Sequence, residues 1–251
     1  MSAEISPELR RVLRRLKLSP VLATLPERAV LARQRGLPHL EFFELVLADE
    51  AARRDRASAE RRAKAARLDP GMVLEAWDSE SPVSFDHDLW SELCTLRFMD
   101  DANGVLILGP VGVGKTFLAT ALGHIAVRRG RSVLFARTEH LLKALKASRL
   151  DGTYEAEIRR LIRVDLLILD DFLLRGLDGT ETTDVYELVV ERHRRASTVV
   201  TSNREPSEWL SVMADPLLAQ SAVDRLQSGA YELVVEGESY RRRQKPGRRA
   251  S

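Results

Sequence analysis

A single cysteine, Cys94, stands in 251 residues. That excludes an internal disulfide framework and fits a reducing cytoplasm, with the thiol serving as a small buried hydrophobe. Aromatic residues make up only 6%, and no apolar run approaches the roughly 18 residues that would suggest a membrane span. The start of the chain, Met1 to Leu18, has cations but no apolar stretch followed by small residues, so a secretory leader is not expected. Internal repeats and heptad arrays are missing as well. What remains, 44% apolar and 30% charged residues, is the composition of a soluble globular protein with room for one ordinary domain and a small second one.

Net charge is only +2, but it is unevenly spread. Residues 1–70 hold 15 Lys/Arg against 10 Asp/Glu, and residues 241–251 hold six cations and no acid, so the stretch between them is strongly negative. Basic flanks around an acidic centre point to polyanion contact at the ends, with solubility and a frayed tail as the plainer alternative.

The first seventy residues read as helices. Leu9, Val12, Leu13, Leu16 and Leu18 form a helical stripe behind an early proline, and a second pattern runs from Ser19 to a stop at Gly36. A third, long helix begins apolar (Leu40, Phe42, Phe43, Leu45, Val46, Leu47). From Ala51 to Arg67 it turns to Ala, Arg, Lys and acid, a face that sits in solvent or against a charged surface. Asp69-Pro70-Gly71 ends it, and residues 71–100 read as a connector with short helical turns.

From Gly104 onward strands alternate with helices. "GVLILG", "SVLFAR", "VDLLILDD" and "STVVTSN" are apolar runs separated by helical patterns, one of them opening at Thr138 as a possible cap. Continuous rather than alternating apolar strands indicate a parallel sheet covered on both faces.

The chemistry starts after the first of these strands. Gly109, Pro110, Val111, Gly112, Val113, Gly114, Lys115 and Thr116 fit the phosphate-binding loop G-x-x-x-x-G-K-[ST] in full, and Phe117 continues into the helix. Glycines let the backbone N–H groups turn inward on phosphate oxygens, and the helix start adds its positive end. Lys115 is expected on the β- and γ-phosphates, and the Thr116 hydroxyl on Mg²⁺. "LLILDD" ends a buried strand with Asp170 as the expected Mg²⁺ partner and Asp171 as the group that orients or deprotonates the attacking water. An acid pair that merely caps the strand is the alternative. Asn203, closing "STVVTSN", is placed to hold that water, though Asn is also a common turn residue. Arg225 lies on a later helix that cannot easily turn back on its own loop. It reads as an arginine finger for a neighbouring subunit, with a surface salt bridge to Asp224 as rival. Ser239 and Arg241 follow, the latter as a second γ-phosphate sensor.

With the glycine loop, "LLILDD", "VVTSN" and "DRL" in this order, the chain resembles the initiator/loader branch of the AAA+ family. More closely it resembles the IstB-type ATP-binding helpers of two-gene insertion sequences, relatives of the DnaC helicase loader. "ERRAKAARL" and "TSNREPSEW" are the more specific parts, and the similarity spans nearly the whole chain. The resemblance implies an AAA+ αβα sandwich with a parallel sheet, a small all-helical N-terminal domain and little or no lid, the stretch after the Arg225 helix being short for one. It also implies ATP and Mg²⁺ as cofactors, self-association on duplex DNA, and stimulation of a partner transposase. The implied nucleotide sits between subunits, with Lys115, Thr116, Asp170, Asp171 and Asn203 on one side and Arg225 from the next. Asp171 departs from the commoner glutamate, and the basic tail has no counterpart.

The expected organisation is a helical domain over 1–70 for DNA binding or oligomerisation, the connector 71–100, an ATPase domain over 101–240, and a basic tail, 241–251, without order. DNA contact is expected from Lys143, Lys146 and Arg149, which recur on one helix, and from Arg53, Arg54, Arg61 and Arg62 in the N-terminal helix. A solvated face and self-assembly are the rival roles. A DnaC-like helicase loader would share the chemistry but grip a helicase with its N-terminal domain. A small-molecule kinase would need an acceptor pocket and a phosphate lid.

Overall fold

In a computed structural model of the chain, the described residues are 5–78 and 82–240. They divide into two compact units between Arg61 and Arg62.

The first unit holds α1 (Pro7–Arg15), α2 (Val21–Arg35) and most of α3 (His39–Ala65). Ser6 Oγ accepts the Leu9 N–H at the start of α1, with Pro7 at the first helical position. Gly36, at φ +60°, stops α2 in a left-handed turn that a side chain would strain. Arg28 pairs with Asp49 at 2.6 Å and ties α2 to α3. Glu50, buried on α3, accepts from both Arg53 and Arg54, and these bonds hold its carboxyl down at about 2.

The second unit begins with the end of α3 and a short 3₁₀ turn, Leu74–Ala76. There follow β1 (Val83–Ser84), α4 (His87–Thr95), α5 (Arg97–Asp100), β2 (Gly104–Leu108), α6 (Lys115–Arg128), β3 (Val133–Arg137), α7 (Thr138–Leu150), α8 (Tyr154–Arg163) and β4 (Leu166–Asp170). The chain then runs through α9 (Gly179–Arg192), β5 (Ser197–Ser202), α10 (Pro206–Val212), α11 (Pro216–Gln227), β6 (Ala230–Val234) and β7 (Glu236–Gly237).

Five strands form one parallel sheet in the order β3-β4-β5-β2-β6. The unbroken apolar runs follow from its position between two cores. Val105 and Ile107 of β2, with Leu166 and Ile168 of β4, face a core completed by α4, α5 and α6. Leu106, Leu108, Leu167 and Leu169 face the opposite core beneath α7, α8, α9 and α11. Every residue of such a strand must therefore be apolar, whichever face it points to.

Three features differ from the sequence reading. A fifth strand, β6, pairs with β2; its sequence, AYELV, places polar Glu232 on an edge strand and so lacks the apolar run that marks the others. The segment read as a connector supplies Trp90, Leu93, Leu96 and Phe98 to the core, so residues 87–100 are packed structure rather than spacer. Thr138 is not a helix cap: Arg137 holds the cap position, and the buried Thr138 hydroxyl donates instead to the Asp170 carbonyl at 3.1 Å. A small antiparallel pair, β1 with β7, joins the segment before β2 to the segment after β6. Among the described residues no helix is long and apolar enough to cross a membrane.

Candidate functional site

The loop between β2 and α6 turns sharply enough to need its glycines. Gly112 has φ +90°, and a Cβ there would collide with Ser239. Gly114 has φ +101°, and a Cβ would meet the Trp77 ring at 2.9 Å. Gly114 also caps α6, so the first N–H groups of that helix open towards the loop. Lys115 Nζ is buried and donates to the carbonyls of Gly109 and Pro110, both at 2.7 Å, which holds a cation inside the curl of the loop.

β4 delivers Asp170 beside this loop. Its Oδ1 accepts from the Thr116 hydroxyl at 2.8 Å and from the Thr201 hydroxyl at 2.7 Å. Oδ2 is buried and has no hydrogen-bond partner among the described residues. Burial pushes the Asp170 carboxyl above the usual range, against the pull of the two hydroxyls. A buried carboxylate oxygen with no partner is costly unless a proton or a cation completes it. The donor set of hard oxygens, Asp170 and Thr116, fits Mg²⁺.

Asp171 follows in the left-handed region at φ +53°, and its N–H donates to Thr201 Oγ1 at 3.0 Å. Asp171 lines a cavity of about 480 Å³ that Gly112, Val113, Gly114, Lys115, Thr116 and Asn203 also line. The structure therefore gathers Lys115, Thr116, Asp171 and Asn203 around one space, with Asp170 behind it. Val111 and Phe117 line the same cavity.

Several lining residues were not singled out from the sequence. Trp77, in the segment before β1, stands over Gly114 with its ring 5.2 Å, edge on, from Phe117. Tyr240 reaches the cavity from the opposite end of the chain, and its N–H donates to the Gly112 carbonyl at 2.9 Å. Thr201, two positions before Asn203, does not line the cavity but holds Asp170 and the Asp171 N–H from behind it. A glycine loop carries its signal in its own spacing, whereas these residues are brought in by β1–β7 pairing and by the β4–β5 register. Arg241 lies outside the described residues.

Arg225 is elsewhere. It lines a separate cavity of about 150 Å³ with Gly104, Thr198 and Gly229, at the strand starts, opposite the strand ends that carry the loop and Asp170. Its partner is Ser221, whose carbonyl it meets at 2.9 Å, and no Arg225–Asp224 ion pair exists among the described residues. The cations read as DNA contacts are mostly engaged within the fold. Lys143 pairs with Glu139 at 2.6 Å and Lys146 with Asp178 at 3.6 Å, both exposed. Arg149 clamps the buried Asp184 from both nitrogens and lies 3.9 Å over the Tyr154 ring, which makes it a tie between α7, α8 and α9. Arg53 and Arg54 hold Glu50, Arg62 donates to the Val127 carbonyl, and Arg61 is exposed.

The chain is similar to known proteins in sequence and in fold. The chain is 37% identical to an insertion-sequence ATP-binding protein of Mycobacterium tuberculosis, over 98% of each chain. The crystal structure of the DnaC helicase loader superposes with a TM-score of 0.53 at 21% identity, over 59% of this chain and 86% of that one. The DnaA replication initiator, solved with AMPPCP and single-stranded DNA, gives a TM-score of 0.56 at 24% identity, over 68% of this chain and 51% of that one. These two likenesses are of fold: the parallel sheet with helices on both faces. Residues 11–248 match the family model of the IstB-like ATP binding protein, and the chain belongs to that family.

Proposed function

We propose that this chain hydrolyses ATP as a Mg²⁺-dependent helper, assembles with copies of itself on duplex DNA, and stimulates the transposase of its insertion sequence. The observation that carries the hydrolytic part is the convergence of Lys115, Thr116, Asp171 and Asn203 on one cavity, with the unpartnered Asp170 Oδ2 behind it. The DNA and transposase parts are supported by family membership and by the insertion-sequence relatives.

Loop N–H groups and Lys115 bind the phosphates, Lys115 exchanging carbonyl partners for phosphate oxygens. Thr116 and Asp170 would hold Mg²⁺, which supplies charge neutralisation to the departing phosphoryl group. Thr201 fixes the Asp170 carboxylate so that Oδ2 stays aimed away from both hydroxyls. Asp171 and Asn203 orient water beside the γ-phosphate, and Asp171 accepts its proton. Arg225 lines a separate cavity at the strand starts rather than the loop cavity, and it serves the nucleotide of an adjacent copy.

The test measures ATP turnover and sedimentation of the full chain with and without long duplex DNA. ATP-dependent assembly on DNA, abolished in Lys115→Ala, is expected. Turnover without any assembly on DNA would retain the ATPase and discard the transposition reading.

A further inference from the structure

The second unit has a further concavity besides the nucleotide cavity. It is a cleft of about 590 Å³ between β3, α7 and α8, and the two share no lining residue. Four basic side chains line it: Arg67, Arg137, His140 and Arg160. Arg67 and Arg137 are exposed and enter no ion pair among the described residues, while Arg160 shares a 3.5 Å pair with Glu157. Asp151, the other acid in the cleft, is taken up by the N–H and hydroxyl of Thr153. The contrast with the other side of α7 is informative. There Lys143, Lys146 and Arg149 each have a carboxylate from this chain, whereas the cleft leaves two arginines unmatched.

Beneath these cations the floor is apolar, made by Leu134, Leu141, Leu145 and Leu161 with Ala144 open at the rim. A row of DNA phosphates takes its affinity from accessible cations and gains nothing from a leucine floor in a concave pocket. A peptide segment uses both: an apolar side chain fills the pocket while carboxylates engage arginine through paired hydrogen bonds. We propose that this cleft docks a segment of a partner protein in which an apolar side chain is flanked by Asp or Glu, held by Arg67 and Arg137 above the leucine floor. The proposal takes from the functional reading only that a partner protein exists, and it stands without DNA binding. Arg137 is also the register partner of Asp170, so the cleft and the nucleotide site meet at neighbouring strand ends.

The test pans a random displayed peptide library on the full-length chain and carries the synthesised consensus peptide forward as the probe. The expected consensus has a Leu, Ile, Phe or Trp beside acidic residues. Its affinity should fall about tenfold or more in the charge-reversed Arg67→Glu variant, as for loss of a charge-assisted pair. It should fall likewise in Ala144→Trp, which keeps every cation but fills the cleft. ATP binding is retained in both variants, which reports that the nucleotide unit is folded. A pool with no acid-flanked consensus overturns the proposal, as does a consensus peptide indifferent to both variants. Weaker binding of a duplex oligonucleotide in the charge-reversed variant but not in Ala144→Trp would assign the cleft to DNA instead. Altered sedimentation of the chain alone would assign it to a second copy.

Discussion

Thr201 and Thr116 grip the same oxygen of Asp170, one from β5 at 2.7 Å and the other from the nucleotide loop at 2.8 Å. Thr201 is fully buried and also accepts the Asp171 N–H, so one hydroxyl positions both acids of the site. It does not line the cavity. Thr201 is a positioning residue.

Its removal separates binding from turnover. Thr201→Val keeps shape but strips one donor from Asp170 and the acceptor from Asp171 N–H. A stability loss of about 1–3 kcal/mol is expected from the unsatisfied groups, read as a lower thermal midpoint. ATP affinity should hold, because the loop and Lys115 are untouched, while turnover falls. Thr201→Ser restores the hydroxyl and should recover turnover. Equal loss of ATP affinity and turnover would show that Thr201 supports the loop itself.

Trp77 is one of three aromatic residues lining the cavity, with Phe117 and Tyr240, and its ring stands over Gly114. Base stacking on an aromatic ring is worth about 1–3 kcal/mol. Trp77→Ala should weaken ATP by about tenfold or more on that scale, while tripolyphosphate, which has no base, binds as before. Competition of the two ligands against a fluorescent nucleotide checks this. Equal weakening of both would mean that Trp77 only braces the glycine loop.

These residues show where sequence reading stops. The glycine loop is legible because its chemistry is local: spacing, strand and helix lie within one stretch of chain. Four strands were legible because burial on both faces demands unbroken apolar runs, and β6 was not, because an edge strand tolerates Glu232. Arg149 shows the same limit from the other side. Helical periodicity places it on a face with Lys143 and Lys146, but its partner Asp184 lies on α9, and no local pattern announces that the pair closes inward. Trp77, Thr201 and Tyr240 reach the site by strand pairing between distant segments, which composition and period do not encode.

Acid should loosen the N-terminal unit through Glu50. Arg53 and Arg54 hold its carboxyl at about 2, below the ordinary 4.5. A group whose folded value is depressed contributes stability above its unfolded value and loses it as pH falls through the folded one. The contribution is therefore full above pH 4.5 and is lost between about 4.5 and 2. Circular dichroism of α-helix content across that window, wild type against Glu50→Gln, should show the wild type losing more of its margin. Parallel acid profiles would remove Glu50 from the account.

Arg225 sits at the strand starts, bonded to Ser221, while Lys115 sits beyond the strand ends of the same sheet. If the arginine completes a site, that site belongs to another copy, and subunit mixing reads this directly. Arg225→Ala alone should bind ATP but turn it over roughly 10³-fold more slowly, the usual scale for a missing finger. Asp171→Asn alone should bind ATP and assemble but fail to turn it over, while still presenting Arg225. In an equal mixture, some interfaces pair an intact Asp171 with an intact arginine, and on random assembly about one interface in four does so. Turnover should recover to about that fraction of wild type and should vanish on dilution below the assembly concentration. Arg225→Lys in the mixture should not substitute, because a lysine lacks the planar fork that spans two phosphate oxygens. A mixture that stays as inactive as its components, with assembly intact by sedimentation, would leave Arg225 as a helix-surface residue bound to Ser221.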